Sequence, residues 1–309
     1  MAVKLAYLDQ SHLTRIAKDS LGLKRDPACA GLREVIDAAV TARQLLCPYS
    51  IYHLMETTIY DNDPVRDEIC AILGRWSRGH CFNHFEDRIV REMCLQVEVG
   101  VVQREASSFT GVGLGVACLP SVGLPHALMN AIPAKRMPQQ RVFGMLVEYG
   151  RRNPQFRAIV NQFRAELLSF EMTGAAARQA RLRPLAETRR SELLGCVRGG
   201  AFARWISSAA SKSVLPDAVV RDLISAAVWS VPTLATMIEI RARRDIAYGR
   251  KPQIGDAIDA GHLSILPYTH FMLTERHFAT YGRGVAAHLG YAAEVLTAPD
   301  QLAARLRNL

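Results

Sequence analysis

The 309-residue sequence has no run of about 18 apolar residues free of proline or charge, so a membrane-spanning helix is not expected. Its opening, MAVKLAYLDQ, lacks the long apolar core and small-residue cleavage site of a secretory leader and brings in an acid at Asp9. Both absences point to a cytoplasmic protein with no membrane role. Paired cysteines are missing too: the seven are odd in number and none stands in a Cys-x-x-Cys pair. Reduced, mostly buried thiols are therefore expected rather than disulfides. The tightest grouping, Cys70, His80, Cys81, His84 and Cys94, has zinc-type ligands but no familiar zinc spacing. A helical segment with buried thiols and surface histidines is the better reading. With 49% apolar and 22% charged residues, the chain can bury a sizeable core.

Lysine is absent from Arg151 to Arg204, where eleven arginines face only Glu166, Glu171, Glu187 and Glu192, a local charge of +7. From Arg241 to Lys251 five bases face Asp245 alone. The total is +9, so the rest of the chain is slightly acidic. Arginine forms bidentate, charge-assisted bonds to phosphate, and a concentrated arginine surface suits nucleic acid. A set of solvated helix faces would have the same composition.

Strand signals are confined to the two ends of the chain. The first sixty residues read as strand, helix, helix, strand, helix: an apolar run Val3 to Leu8 ending at Asp9, a helix capped by Ser11, and a helix from Arg33 to Leu46 with Val35, Ile36, Ala39 and Val40 at helical spacing. A further helix from Ile51 has Ser50 as its N-cap. Residues 61–244 read as almost wholly helical, interrupted by the uncharged, glycine- and proline-rich stretch Ala106 to Ala134. Its GVGLG is no phosphate loop, because no Lys-Ser or Lys-Thr follows and no convincing strand precedes it. The last sixty residues alternate again: a helix from about Gly255 stopped by Pro267, a strand Thr269 to Leu273, a helix Arg276 to Leu289 closed by Gly290, a strand Ala293 to Leu296, and a terminal helix. Such alternation implies a parallel α/β sheet flanked by helices. The expected organisation is one α/β core from residues 1–60 and 245–309, interrupted by a large all-α insertion at 61–244.

In open α/β sheets, chemistry gathers at the carboxyl ends of strands, and Asp9 and Glu275 each follow a predicted strand. Asp256 and Asp259 stand i, i+3 at the start of a helix, sharing a face near the positive end of its dipole. Glu56 lies on an early helix. Carboxylates gathered without bases repel one another, and either protonation or a divalent cation relieves this; oxygen-only donors select Mg²⁺ or Mn²⁺. Taken singly, each of these acids reads equally as a helix cap or a surface charge.

The same residues carry a resemblance. KLAYLD, the Ser50-Ile-Tyr-His-Leu-Met-Glu56 segment, DAIDAGHLSILPYTHFMLTERHF from Asp256 to Phe278, and the closing YAAEVLTAPDQLAARL together resemble, in that order, a divergent PIN-domain protein. That family comprises metal-dependent ribonucleases. The resemblance covers residues 1–60 and 250–309 and leaves the insertion unmatched. It implies phosphodiester cleavage of RNA by one or two Mg²⁺ or Mn²⁺ ions, with Asp9, Glu56, Asp259 and Glu275 as catalytic metal ligands and Asp256 as an additional or outer one. Arg276 occupies the place where many members have their last aspartate, so Glu275 is the candidate substitute. Arg178, Arg181, Arg183 and Arg276 are the candidate RNA-binding residues. His262 is read as structural, Ser50 as a helix cap, and Thr274 as a potential hydrogen-bond partner of a carboxylate. The resemblance further suggests a toxin with its antitoxin, or a defence nuclease with another inhibitor protein. The competing expectation is a catalytically weak PIN-like scaffold that binds RNA or a protein partner.

Overall fold

The computed structural model describes residues 3–83, 85–100, 110–112, 139–154, 217–226, 228–247 and 254–309, with a few single positions besides. Its centre is a four-stranded, all-parallel sheet of β1 (Lys4–Leu8), β2 (Leu45–Leu46), β5 (Phe271–Leu273) and β6 (Glu294–Leu296), in the order β2-β1-β5-β6. The two inner strands come from opposite ends of the described chain, paired Ala6 to Phe271 and Leu8 to Leu273. Central parallel strands are covered on both faces. Leu5, Ala6, Tyr7 and Leu8 are accordingly all buried.

The period-2 alternation of side chains divides the core into two layers. Ala6, Leu8, Phe271 and Leu273 face a layer that includes Leu13 and Ile16 of α1 (Gln10–Ser20), Leu32 and Ile36 of α2 (Pro27–Thr41), Ile69 and Trp76 of α4 (Asp63–Ser77), and Leu302 and Leu306 of the terminal helix (Pro299–Leu306). Leu5, Tyr7, Met272 and Val295 face the other way. There they meet Leu263 of the helix Ile254–Leu263, Phe278 and Val285 of the helix Arg276–Leu289, and Ile240 of the helix Pro232–Ala247.

In chain order the remaining elements are α3 (Ile51–Thr58), β3 (His80–Phe82), α5 (Phe85–Val99), β4 (Thr110–Val112), α6 (Val142–Arg152) and α7 (Asp217–Ala226). The helix Pro232–Ala247 is then α8, Ile254–Leu263 is α9, Arg276–Leu289 is α10 and Pro299–Leu306 is α11. Among the described residues, no helix is long and apolar enough to cross a membrane.

Three local expectations are corrected. The second helix begins at Pro27, capped by Asp26, and stops at Thr41 rather than Leu46. Leu45 and Leu46 instead pair with Lys4 and Leu5 as an edge strand, and an apolar pair continues a helical stripe as readily as it forms a short strand. The first helix is capped by Asp9, two residues earlier than Ser11. The middle of the chain is not purely helical either, since β3 and β4 pair antiparallel, each too short at three residues for an alternation to show. Among the described residues, Cys29, Cys47 and Cys81 are buried and Cys70 and Cys94 half-buried, and none of the five is in a disulfide.

Candidate active site

Because β1 and β5 run parallel and adjacent, the residues just after them meet at one edge of the sheet. The Asp9 N–H donates to the Leu273 carbonyl at 3.0 Å, extending the ladder by one rung. The Asp9 side chain, 7% exposed, then accepts three further hydrogen bonds. Its Oδ1 accepts from the Ser11 hydroxyl at 2.7 Å and the His12 N–H at 3.2 Å, and its Oδ2 accepts from the Glu275 N–H at 3.0 Å. One carboxylate thus sits on the amino ends of α1 and α10, where orphan N–H groups and helix dipoles favour negative charge.

Glu56 is brought to the same edge by α3. Ser50 is the N-cap of this helix, and His53 reaches back to accept from the Ser50 N–H at 3.2 Å through Nδ1. The opposite ring nitrogen of His53 donates to the Leu8 carbonyl at 2.7 Å, so His53 is a neutral tautomer joining the start of α3 to the end of β1. Burial, then the neighbouring His262, pushes its pKa well below the usual histidine value.

The His262 Nε2–H donates to Glu56 Oε2 at 2.8 Å, while Nδ1 meets the Tyr7 hydroxyl at 2.5 Å, and that hydroxyl meets Ser50 Oγ at 2.6 Å. Tyr7, Ser50 and His262 are all buried. Burial works against charge on His262, but the hydrogen bond and charge of Glu56, with the charges of Asp259 and Asp9, outweigh it and raise its pKa.

Asp259, one turn before His262 on α9, is half-buried. Burial, followed by the carboxylates of Glu56, Asp9 and Glu275, pushes its pKa up to about 7 despite His262. Four sequence-expected acids therefore converge within electrostatic reach of one another. Glu275 is the outermost: it is the N-cap of α10, its side chain is 51% exposed, and its carboxylate lies 3.6 Å from His277. Asp256 lies on α9, but its side chain is outside the described residues, as are Arg178, Arg181 and Arg183. Thr274 is buried, with its N–H bonded to Leu296.

Of these acids, Glu56 and Glu275 line a cleft of about 1050 Å³, together with Arg276, His277, Tyr60 and Asn62, and residues of α1 form its floor. His12 lies on its wall, 3% exposed, with neither ring nitrogen hydrogen-bonded among the described residues. Arg15 also lines the cleft but is paired with Asp26 at 2.6 Å.

The chain matches no protein-family model, no curated protein and no solved structure. Its site must therefore be judged on chemistry alone. Among the described residues, no three His, Cys, Asp or Glu side chains form a ready metal cage, which applies equally to the cysteine–histidine grouping around Cys81. The acids nevertheless suit a hard divalent cation: the donors are all oxygen, and Asp259 holds a proton near neutrality because burial and its three acidic neighbours outweigh the opposing influence of His262. A cation bound among them would replace that proton.

Sequence reasoning located the acids but missed Tyr7, His53 and His12. A tyrosine in an apolar strand carries no mark of a polar role. His12 had a usable signal, since it stands i+3 from an acid at a helix start and so turns toward the same helix end.

Proposed function

We propose that the protein is a PIN-like, metal-dependent endoribonuclease in which Asp9, Glu56 and Asp259, with Glu275 and Asp256 as outer members, hold Mg²⁺ or Mn²⁺. One observation carries the reading. Glu56 and Glu275, some two hundred residues apart, line one cleft at the carboxyl edge of a parallel sheet, and Asp259, within electrostatic reach of both and of Asp9, is left with a pKa of about 7. When bound, the ion supplies an activated water and offsets charge on the scissile phosphate. The chain's own contribution is to fix the carboxylates. Asp9 is held by three donors, Glu56 by His262, and α9 by the buried Tyr7–His262 contact. Arg276 and His277 on the cleft wall are positioned to meet phosphate, and Arg178, Arg181 and Arg183 are proposed to extend that contact along RNA. An antitoxin or other inhibitor protein is the expected partner if the nuclease is a toxin or a defence effector.

The test is Mn²⁺ binding and RNA cleavage measured on the same preparations. Wild type is expected to show a Mn²⁺-dependent rise in melting temperature and Mn²⁺-dependent cleavage of RNA, with both lost in Asp9→Asn and in Asp259→Asn. Near wild-type cleavage by both variants at saturating Mn²⁺ would overturn the proposal.

A second reading, a weakly catalytic scaffold that binds RNA or a protein, is favoured by the position of Glu275. Its carboxylate is half-exposed and turned toward His277, and the exposed Arg276 follows it. Mn²⁺ binding without cleavage, or RNA binding without either, would select this reading.

A further inference from the structure

Glu56 and Asp9 are both constrained in how they can offer oxygen to an ion. Glu56 Oε2 is committed to His262 Nε2 at 2.8 Å, and among the described residues Oε1 has no hydrogen-bond partner. The imidazole cannot turn away without also breaking its 2.5 Å contact with Tyr7, whose hydroxyl is itself held by Ser50. Ring contacts from Tyr52 at 5.4 Å and His53 at 5.1 Å close the space around it. On Asp9, Oδ1 already accepts two hydrogen bonds, which uses both of its lone pairs, and Oδ2 accepts one. Asp9 Oδ1 thus has no lone pair left for an ion, and on Glu56 the uncommitted oxygen is Oε1, while Oε2 keeps a single lone pair beside the imidazole that holds it.

Resting on the metal-centre reading above, we propose that His262 is a positioning residue that restricts Glu56 to one-oxygen ligation and so makes the site discriminate against calcium. Ca²⁺ takes six to eight oxygens and commonly binds carboxylates through both oxygens. Mg²⁺, and Mn²⁺ like it, takes octahedral sites in which single carboxylate oxygens and waters suffice. The imidazole therefore acts on ion choice through Glu56, without itself touching the ion. Asp9 contributes to the same filter through Ser11 and His12, but His262 is the one partner whose removal frees a carboxylate oxygen without disturbing a helix cap.

The experiment is calorimetric titration of the full chain with Mn²⁺ and, separately, with Ca²⁺, read as the ratio of the two affinities. Wild type is expected to prefer Mn²⁺. In His262→Leu the preference should shrink by about tenfold, the lower end of what outer partners of metal ligands contribute, with Ca²⁺ binding tightened in absolute terms. His262→Gln, whose amide can still donate to Glu56, should keep most of the wild-type ratio. If His262→Leu does not fold, Tyr7→Phe removes the hydroxyl that fixes the imidazole while keeping the ring, and should shift the ratio in the same direction. A folded His262→Leu with the wild-type ratio, or a ratio lost equally in Leu and Gln, would overturn the positioning role and leave the metal centre standing. Absence of Mn²⁺ binding in wild type would remove the metal centre itself and this role with it.

Discussion

At the scale of single residues, the site stores its chemistry in one shifted carboxyl group. Asp259 is pushed up to about 7 in the folded protein, by burial and by the acids around it, from an ordinary value of 3.8. Between those values the folded state binds more protons than the unfolded chain, so stability is greatest at low pH in this window and falls as pH rises through it. At about 1.4 kcal/mol per pKa unit, complete deprotonation removes up to about 4 kcal/mol, less whatever solvent screens at this half-buried position. In chelator-treated protein, the denaturation midpoint should fall between about pH 4 and pH 7, and Asp259→Asn should flatten that slope. Saturating Mn²⁺ should reverse the trend, because the ion binds the deprotonated form. An Asp259→Asn variant with the wild-type slope would place the titration elsewhere, with fully buried Glu92, also pushed up to about 7 by its burial, as the next candidate.

At the scale of elements, α9 is the piece whose placement decides the site, and α3 and α5 hold it from two sides. Gly261 lies between Asp259 and His262 against Tyr52 of α3, so closely that an added Cβ would stand 2.2 Å from the ring. Gly261→Ala must therefore force α9 away from α3, separating His262 from Glu56. A loss of about 1–3 kcal/mol in urea unfolding is expected, with weakened Mn²⁺ binding in whatever remains folded. From the other side, α5 offers Arg88 and Glu92 one turn apart. Arg88 donates to the carbonyl and hydroxyl oxygens of Ser264, just past the carboxyl end of α9. Glu92 accepts from the N–H and hydroxyl of Thr233, at the amino end of α8, and from Tyr268. Each charge meets the helix end of opposite polarity. Little of this was legible in the sequence. The end of α10 was, because Gly290 takes the left-handed φ of 66° that stops a helix. So was the placement of Asp9 and Glu275, because an apolar run followed by an acid marks a strand end. The clamp on α9 was not, because Arg88 and Glu92 read as an ordinary surface i, i+4 pair until the packing buries both. The Tyr7–His262–Glu56 chain was equally hidden, since its partners lie up to 255 residues apart and neither spacing nor composition links them.

At the scale of the whole molecule, a net charge of +9, concentrated in arginine between positions 151 and 204, should govern RNA affinity more than the acidic cleft does. Each phosphate neutralised releases condensed counterion, so binding to single-stranded RNA should fall by about 0.7 log units per contact for each decade of salt. Replacing Arg178, Arg181 and Arg183 with glutamate should weaken binding and flatten that slope while leaving Mn²⁺ binding unchanged. Unchanged affinity and slope, measured by fluorescence anisotropy across a salt series, would assign the arginines to a partner surface or to solvent. The central pairing of β1 with β5 also sets a timetable. Leu5 finds its partner at His270, 265 residues downstream. During synthesis, Asp9 and Glu56 emerge early, yet the strand that seats Asp9 against Glu275, and the helix that carries Asp259 and His262, belong to the last stretch described. Closing so long a loop is slow, and it cannot begin until that stretch has left the ribosome. A ribosome-bound chain stalled before Phe271 therefore carries every site carboxylate except Glu275, but it lacks β5, the strand that pairs with β1 and seats Asp9, and so has no assembled site. Whatever chemistry the site performs is therefore withheld until β5 has emerged and paired with β1.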